Sequence, residues 1–193
     1  GRVCNRRCED ACTRGTIDKA VSIDEIKRFI AQKDLDAETC YIPEKVIPSN
    51  RGEFSNKIAV IGGGPAGLSC AYYLATTGYR PTVFEKNEKP GGMLTYGIPS
   101  YKLEKDVVDA EIDVIRQLGV EIKCGVEVGK DVTLDELRAQ GYEAFYIAIG
   151  CQGSRKPNLE GEDAKGVMSA VDILHKIAEN HDLDLKGNKT VVI

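Results

Sequence analysis

The chain has no apolar run approaching the roughly 20 residues that a bilayer-spanning helix requires, which excludes membrane insertion by such a helix. Histidine is scarce: there are two, His175 and His181, and both read as surface or packing side chains. No serine–histidine–aspartate arrangement, zinc-ligand spacing or close carboxylate pair accompanies them, so hydrolytic chemistry has no footing. A strong excess of positive charge is also missing. The net charge of -4 argues against nucleic acid or an anionic membrane surface as the main partner. Neither an internal repeat nor a low-complexity segment is present. What remains is an ordinary globular composition, 42% hydrophobic and 29% charged, over 193 residues, enough for one domain with a small appendage.

Against these absences stands a dense glycine signal. The apolar stretch Ile58 to Ile61 runs straight into Gly62-x-Gly64-x-x-Gly67, and a helical pattern from Pro65 to Thr77 follows at once, stopped by Gly78. In such a turn one glycine permits the tight bend, one lets the backbone approach a pyrophosphate, and one lets the helix pack closely on the strand. The helix then directs its free N–H groups and partial positive charge at the phosphates. Glu85 closes the next short strand, Pro81 to Glu85, where a carboxylate can accept hydrogen bonds from an adenosine ribose. A carboxylate there repels a 2′-phosphate, so the spacing points to FAD or NAD rather than NADP at this turn.

Further along, Lys86 to Lys102 reads as a long loop carrying five glycines and prolines, a length that usually marks function. A helix is expected from about Glu104, with Val108, Ile112 and Ile115 on its buried face and Gly119 at its end. A strand near Val120 to Lys123, a short helix from Leu134 to Ala139, and an apolar strand from Ala144 to Ile149 follow. Ser169 opens a capped helix through Glu179, and Lys189 to Ile193 begins another strand. Toward the other end, Ser22-Ile-Asp-Glu25 has the form of a capping box, and Ile23, Ile26, Phe29 and Ile30 repeat at helical spacing behind it. Residues 34 to 56 read as a linker.

Of the seven cysteines, six fall into two groups and Cys40 stands apart. Cys70, Cys124 and Cys151 are scattered and read as buried thiols, while Cys4, Cys8 and Cys12 share the spacing C-x3-C-x3-C. From spacing alone that triplet is equally a set of soft ligands, a disulfide pair, or three unrelated reduced thiols. The odd total suits a reducing, cytoplasmic setting.

Taken in order, Gly62-Gly-Gly-Pro-Ala-Gly67 with Glu85-Lys86, Pro90-Gly-Gly-Met-Leu94, Tyr96-Gly-Ile-Pro99, Lys102-Leu103, Tyr146-Ile-Ala-Ile-Gly150 and Leu159-Glu-Gly-Glu-Asp163 resemble the flavin-binding half of the glutamate synthase small-subunit family. That family includes the flavin domain of dihydropyrimidine dehydrogenase and the large subunit of bifurcating NADH-dependent ferredoxin:NADP oxidoreductases. Gly1-Arg-Val-Cys4 and Ile26-Lys-Arg-Phe29 match its helical N-terminal module, so the resemblance spans the whole chain.

The resemblance implies a Rossmann-like α/β domain binding FAD, preceded by a small α-helical, cysteine-rich iron–sulfur module. It implies residues 1–50 for that module and linker, 51–187 for the FAD-binding domain, and 188–193 for the first strand of an NAD(P)H-binding domain. Gly62, Gly64, Pro65, Ala66, Gly67 and Leu68 would face the pyrophosphate and Glu85 the ribose. Lys86, Gly92 and Met93 would wrap the adenosine and flavin, and Lys102 would lie near the phosphates or flavin. Val128 would offer backbone groups to the adenine, Gly150 would let the chain pass close to the cofactor, and Val3 would approach the flavin. Cys4 and Cys8 would ligate one [4Fe–4S] cluster and Cys12 a second, with the remaining cysteines upstream of Gly1 in relatives. Some relatives place Gln or Glu where Lys27 stands, and a protonated lysine cannot ligate; Cys40 is an alternative donor.

The implied activity joins hydride exchange with NAD(P)H to single-electron exchange with iron–sulfur clusters through FAD, alongside a partner redox subunit. The 193 residues by themselves are expected to be inactive. No C-x-x-C follows the fingerprint helix, which argues against a redox-active disulfide of the glutathione reductase kind. Two rival readings are an NAD-dependent dehydrogenase domain, opposed by the Pro90 to Met93 loop, and a non-catalytic electron-transfer or docking module.

Overall fold

In the computed structural model, residues 1–37 and 54–179 are described. Cys40, His181, the expected Lys189 to Ile193 strand and most of the expected linker lie outside those residues. The element order begins with a one-turn helix α1 (Arg7–Asp10), a 3-10 turn (Thr13–Thr16) and helix α2 (Ile23–Asp36). It continues β1 (Lys57–Ile61), α3 (Pro65–Thr77), β2 (Arg80–Glu85), α4 (Met93–Tyr96), α5 (Lys105–Gln117), β3 (Glu121–Cys124), α6 (Leu134–Ala139), β4 (Tyr142–Ile147) and α7 (Ala170–Ala178).

The four strands form a parallel sheet in the order β3-β2-β1-β4. Strands buried on both faces read as near-continuous apolar runs, and Ile58 to Ile61 and Pro81 to Glu85 are all buried, with Thr82 and Glu85 the polar residues among them. One face of the sheet packs Ala59 and Phe84 with Leu137 of α6 and Tyr142. The other packs Val60 and Val83 with Ala71 of α3 and Val120. Val60 and Val83 are fully buried, each stabilising the fold by roughly 1.5–3 kcal/mol. A third cluster joins Leu68 of α3 to Leu103, Val108 and Ile112.

Sequence expectation and structure agree closely in this body. Helix α3 has the expected bounds, with Pro65 in its first turn and Gly78 at its C-cap in the left-handed region, φ 105°. Helix α6 also has the expected bounds, opened by a capping box between Thr133 and Glu136. Strand β4 begins two residues earlier than expected, at Tyr142, and ends at Ile147. The expected Lys86 to Lys102 loop contains the single turn α4, because the amides of Tyr96 and Gly97 close onto the carbonyls of Gly92 and Met93.

The N-terminal module departs further from expectation. Ser22 occupies the N-cap of α2, yet its side chain caps nothing. Its would-be partners are engaged elsewhere: the Asp24 amide donates to Glu9 Oε1 at 2.7 Å, and Glu25 accepts from Arg6 at 3.2 Å. The apolar repeat of α2 is also turned outward, with Ile26, Phe29 and Ile30 all at least half exposed, while Asp24 is buried.

Candidate dinucleotide-binding site

Because the chain steps from β1 to β2 to β3 on one side and returns on the other as β4, the crevice beyond the carboxyl end of β1 is where an open sheet of this kind accepts a ligand. Three chain segments meet there. Gly62, at φ 105°, lies so close to β4's exit that a Cβ on it would be 2.4 Å from the Ala148 carbonyl oxygen. The Ala148 amide in turn donates to Ile61 O at 2.7 Å. A Cβ on Gly67 would be 1.9 Å from Gly62 O, which is why helix α3 can start directly against the turn.

Gly64 is different. A Cβ there would meet only Gly92 Cα, at 3.8 Å, so no packing demand accounts for this glycine. Pro65 and Ala66 behind it are exposed, and the first-turn N–H groups of α3 lack intrahelical acceptors. An open helix N-terminus with a bare backbone in front of it is the cradle an anionic pyrophosphate fits. Leu68 does not share that position: its side chain is in the core and its amide donates to Gly64 O at 2.9 Å.

Glu85 is buried at the end of β2 and both its oxygens are engaged by backbone. Oε2 accepts from the Gly63 amide at 2.7 Å and Oε1 from the Asn87 amide at 2.9 Å. Glu85 thus braces the glycine turn against β2, a role that spacing alone did not reveal. Free lone pairs on both oxygens still allow it to accept from ribose hydroxyls. Lys86 is exposed beside it. Gly92, at φ 54°, presses onto the same turn, and a Cβ on it would be 2.9 Å from Gly64 Cα. The Gly91 amide donates to Gly63 O at 2.7 Å, tying the Pro90 to Met93 segment to the fingerprint.

The structure divides the remaining candidates. Met93 is exposed on α4, whereas Leu94 and Ile98 pack against the Leu68, Leu103 and Val108 cluster. Gly150, at φ 75°, lies just past β4 with open space around it. Val128 packs against the Ala59 and Phe84 cluster, while the nearby Val126 amide donates to Glu85 O at 3.0 Å. Lys102 is exposed. Lys105, which sequence reasoning missed, is half-buried and donates to the carbonyls of Leu94, at 2.7 Å, and Ile98. Burial pushes its ammonium below the usual lysine range. Tyr96 is buried, its hydroxyl accepts from the Lys89 amide at 2.9 Å, and its ring stacks on His175 at 4.8 Å between centroids. His175 is therefore a packing histidine, and it fixes α7 against α4.

In the N-terminal module Cys4, Cys8 and Cys12 are all free thiols, so the disulfide alternative is not realised. Backbone amides of Val21, Arg14 and Gly15 around Cys12 hold its thiol below the ordinary range. Cys4 Sγ accepts from the Arg6 amide at 3.5 Å, and Cys8 and Val3 are exposed. Among the described residues no three His, Cys, Asp or Glu side chains converge as one closed metal site. Nor is any described helix long and apolar enough to cross a membrane.

The sequence pattern of the pyridine nucleotide-disulphide oxidoreductases matches residues 56–193. The chain belongs to that family. Over its whole length it is 38% identical to the small chain of a glutamate synthase [NADPH] of Bacillus subtilis and covers 40% of that protein. It is likewise 38% identical, over its whole length, to the beta subunit of an NADP(+)-dependent formate dehydrogenase of Moorella thermoacetica, covering 30% of it. Among solved structures, FprA of Mycobacterium tuberculosis in complex with NADPH superposes on 68% of this chain and 32% of its own, with a TM-score of 0.60 and 24% identity; that likeness speaks to the fold. The chain thus spans less than half the length of these oxidoreductase-family relatives.

Proposed function

We propose that this chain is the FAD-binding part of a flavoprotein oxidoreductase that passes electrons between NAD(P)H and iron–sulfur clusters, as one subunit of a larger redox assembly. The observation that carries the reading is Gly64, a glycine no packing demands, set before an open helix N-terminus, with Gly92 against it and Glu85 bracing the adjoining Gly63. Family membership and whole-length similarity to a glutamate synthase small chain and a formate dehydrogenase beta subunit support it.

In this reading the FAD pyrophosphate lies against Gly62, Gly64, Pro65, Ala66 and Gly67, and Glu85 receives the adenosine ribose. Pro65 has no N–H and the Gly62 amide is given to Phe84 O, so the donors come from the other amides of the turn and the first helical turn. Lys86, Gly92 and Met93 line the approach to the adenosine and flavin, Val128 faces the adenine, and Gly150 leaves room for the cofactor at the exit of β4. Val3 and Lys102 complete the flavin surroundings. When bound, FAD supplies a group that takes up hydride and releases electrons singly. The chain's own residues bind and orient it; the NAD(P)H site belongs to residues other than those described. Free thiols at Cys4 and Cys8, and a Cys12 thiol held below the ordinary range by neighbouring backbone amides, suit [4Fe–4S] ligation shared with cysteines from outside this set. Such chemistry belongs in a reducing, cytoplasmic compartment.

Titration of the purified chain with FAD, followed by flavin fluorescence quenching with NAD as competitor, tests the reading. Saturable FAD binding that NAD does not displace, and that Gly64→Ala abolishes, is the expected result. Binding of NAD in preference to FAD would establish the dehydrogenase alternative instead.

A further inference from the structure

The cysteine segment touches the dinucleotide-binding body through one side chain that the functional reading has not used. Arg2, two residues before Cys4, keeps only 11% of its side chain exposed. Its Nε donates to Glu104 Oε2 at 3.0 Å, and its terminal nitrogen donates to Gln32 Oε1 on α2. Behind it the backbone lies directly on α2, where a Cβ at Gly1 would be 2.7 Å from Arg28 Cβ. The other ion pairs described for this module, Arg6 with Asp24 and Glu25 and Arg14 with Asp18, stay within it.

Glu104 occupies the N-cap of α5, and the next residue, Lys105, holds the carbonyls of Leu94 and Ile98. A continuous route therefore runs from Cys4 through Arg2, Glu104 and Lys105 to the segment that follows Gly92. A planar guanidinium with two acceptors fixed on two different elements sets orientation as well as distance. We propose that Arg2 is a positioning residue that fixes the Cys4-bearing segment in register on the dinucleotide-binding body. Its role in electron exchange rests on the functional reading above; its role as a clamp does not.

The test uses the full-length protein with Arg2→Gln, Glu104→Gln and the double substitution. Hydrogen exchange is measured first, without regard to cofactors. Each single substitution should speed exchange of the amides of residues 3–12 by about tenfold while β1 and β2 amides stay unchanged, and the double should add little to either. Stopped-flow mixing with NAD(P)H then separates flavin reduction from bleaching of iron–sulfur absorbance. Flavin content, iron content and flavin reduction should hold within about twofold, while bleaching slows by about tenfold or more. Unchanged exchange in Arg2→Gln overturns the clamp. Faster exchange with unchanged bleaching overturns the positioning role and leaves a structural tie only. A wild-type protein without FAD or iron overturns the functional reading, and the exchange comparison then decides the clamp by itself.

Discussion

A Cβ added at Gly67 would lie 1.9 Å from Gly62 O, and one added at Gly64 would touch only Gly92 Cα at 3.8 Å. Gly67→Ala should therefore destabilise the fold by about 1–3 kcal/mol or more through overpacking, read as a lower urea midpoint at unchanged slope. Gly64→Ala should leave the midpoint within about 0.5 kcal/mol, since its φ of -78° suits alanine, while FAD binding is lost. A similar distinction applies at Glu85. Replacing it with glutamine turns one accepting oxygen into an amide donor facing the Gly63 or Asn87 N–H. Glu85→Gln should cost about 1–3 kcal/mol without any ligand present, measured by denaturation of the unliganded protein. The glycines and Glu85 were legible in the sequence because each is fixed by short-range spacing. The contacts of Glu85 with Gly63 and Asn87 were not, since a spacing rule names the residue and not which of its lone pairs the backbone already occupies.

Among the elements, those whose ends are set by local backbone chemistry followed expectation. Pro65 and Gly78 bound α3, and Thr133 with Glu136 opens α6, so no distant partner needs to be known. Ser22 fails as a cap although its sequence signature is as good, because Glu9 and Arg6 of the preceding segment take the groups it would have paired with. Turn α4 was hidden for the same reason: much of its support comes from Lys105, one element later, whose ammonium satisfies two carbonyls at its end. Lys105→Met should leave Leu94 O and Ile98 O without that donor. The expected outcome is a loss of about 1–3 kcal/mol and new protease cleavage between Met93 and Ser100, with the β-sheet amides keeping their protection.

Over the whole molecule, the parallel sheet and its helices follow from apolar periodicity, while the outward face of α2 and the exposure of β4 do not. A periodic pattern gives the faces of an element without saying which neighbour meets them. Strand β4 pairs with β1 on one side and forms an edge of the described sheet, and Tyr146, Ile147 and Ile149 at and beyond its end are 43%, 65% and 67% exposed. A rim of unpaired backbone groups carrying apolar side chains is a template for further strand addition. In solution, then, this 193-residue polypeptide should self-associate along that edge as its concentration rises. Light scattering should climb with concentration and fall in Ile147→Lys, whose urea midpoint should shift by no more than about 0.5 kcal/mol. Anyone concentrating it for crystals would meet the colloidal consequence of β4 before meeting its chemistry.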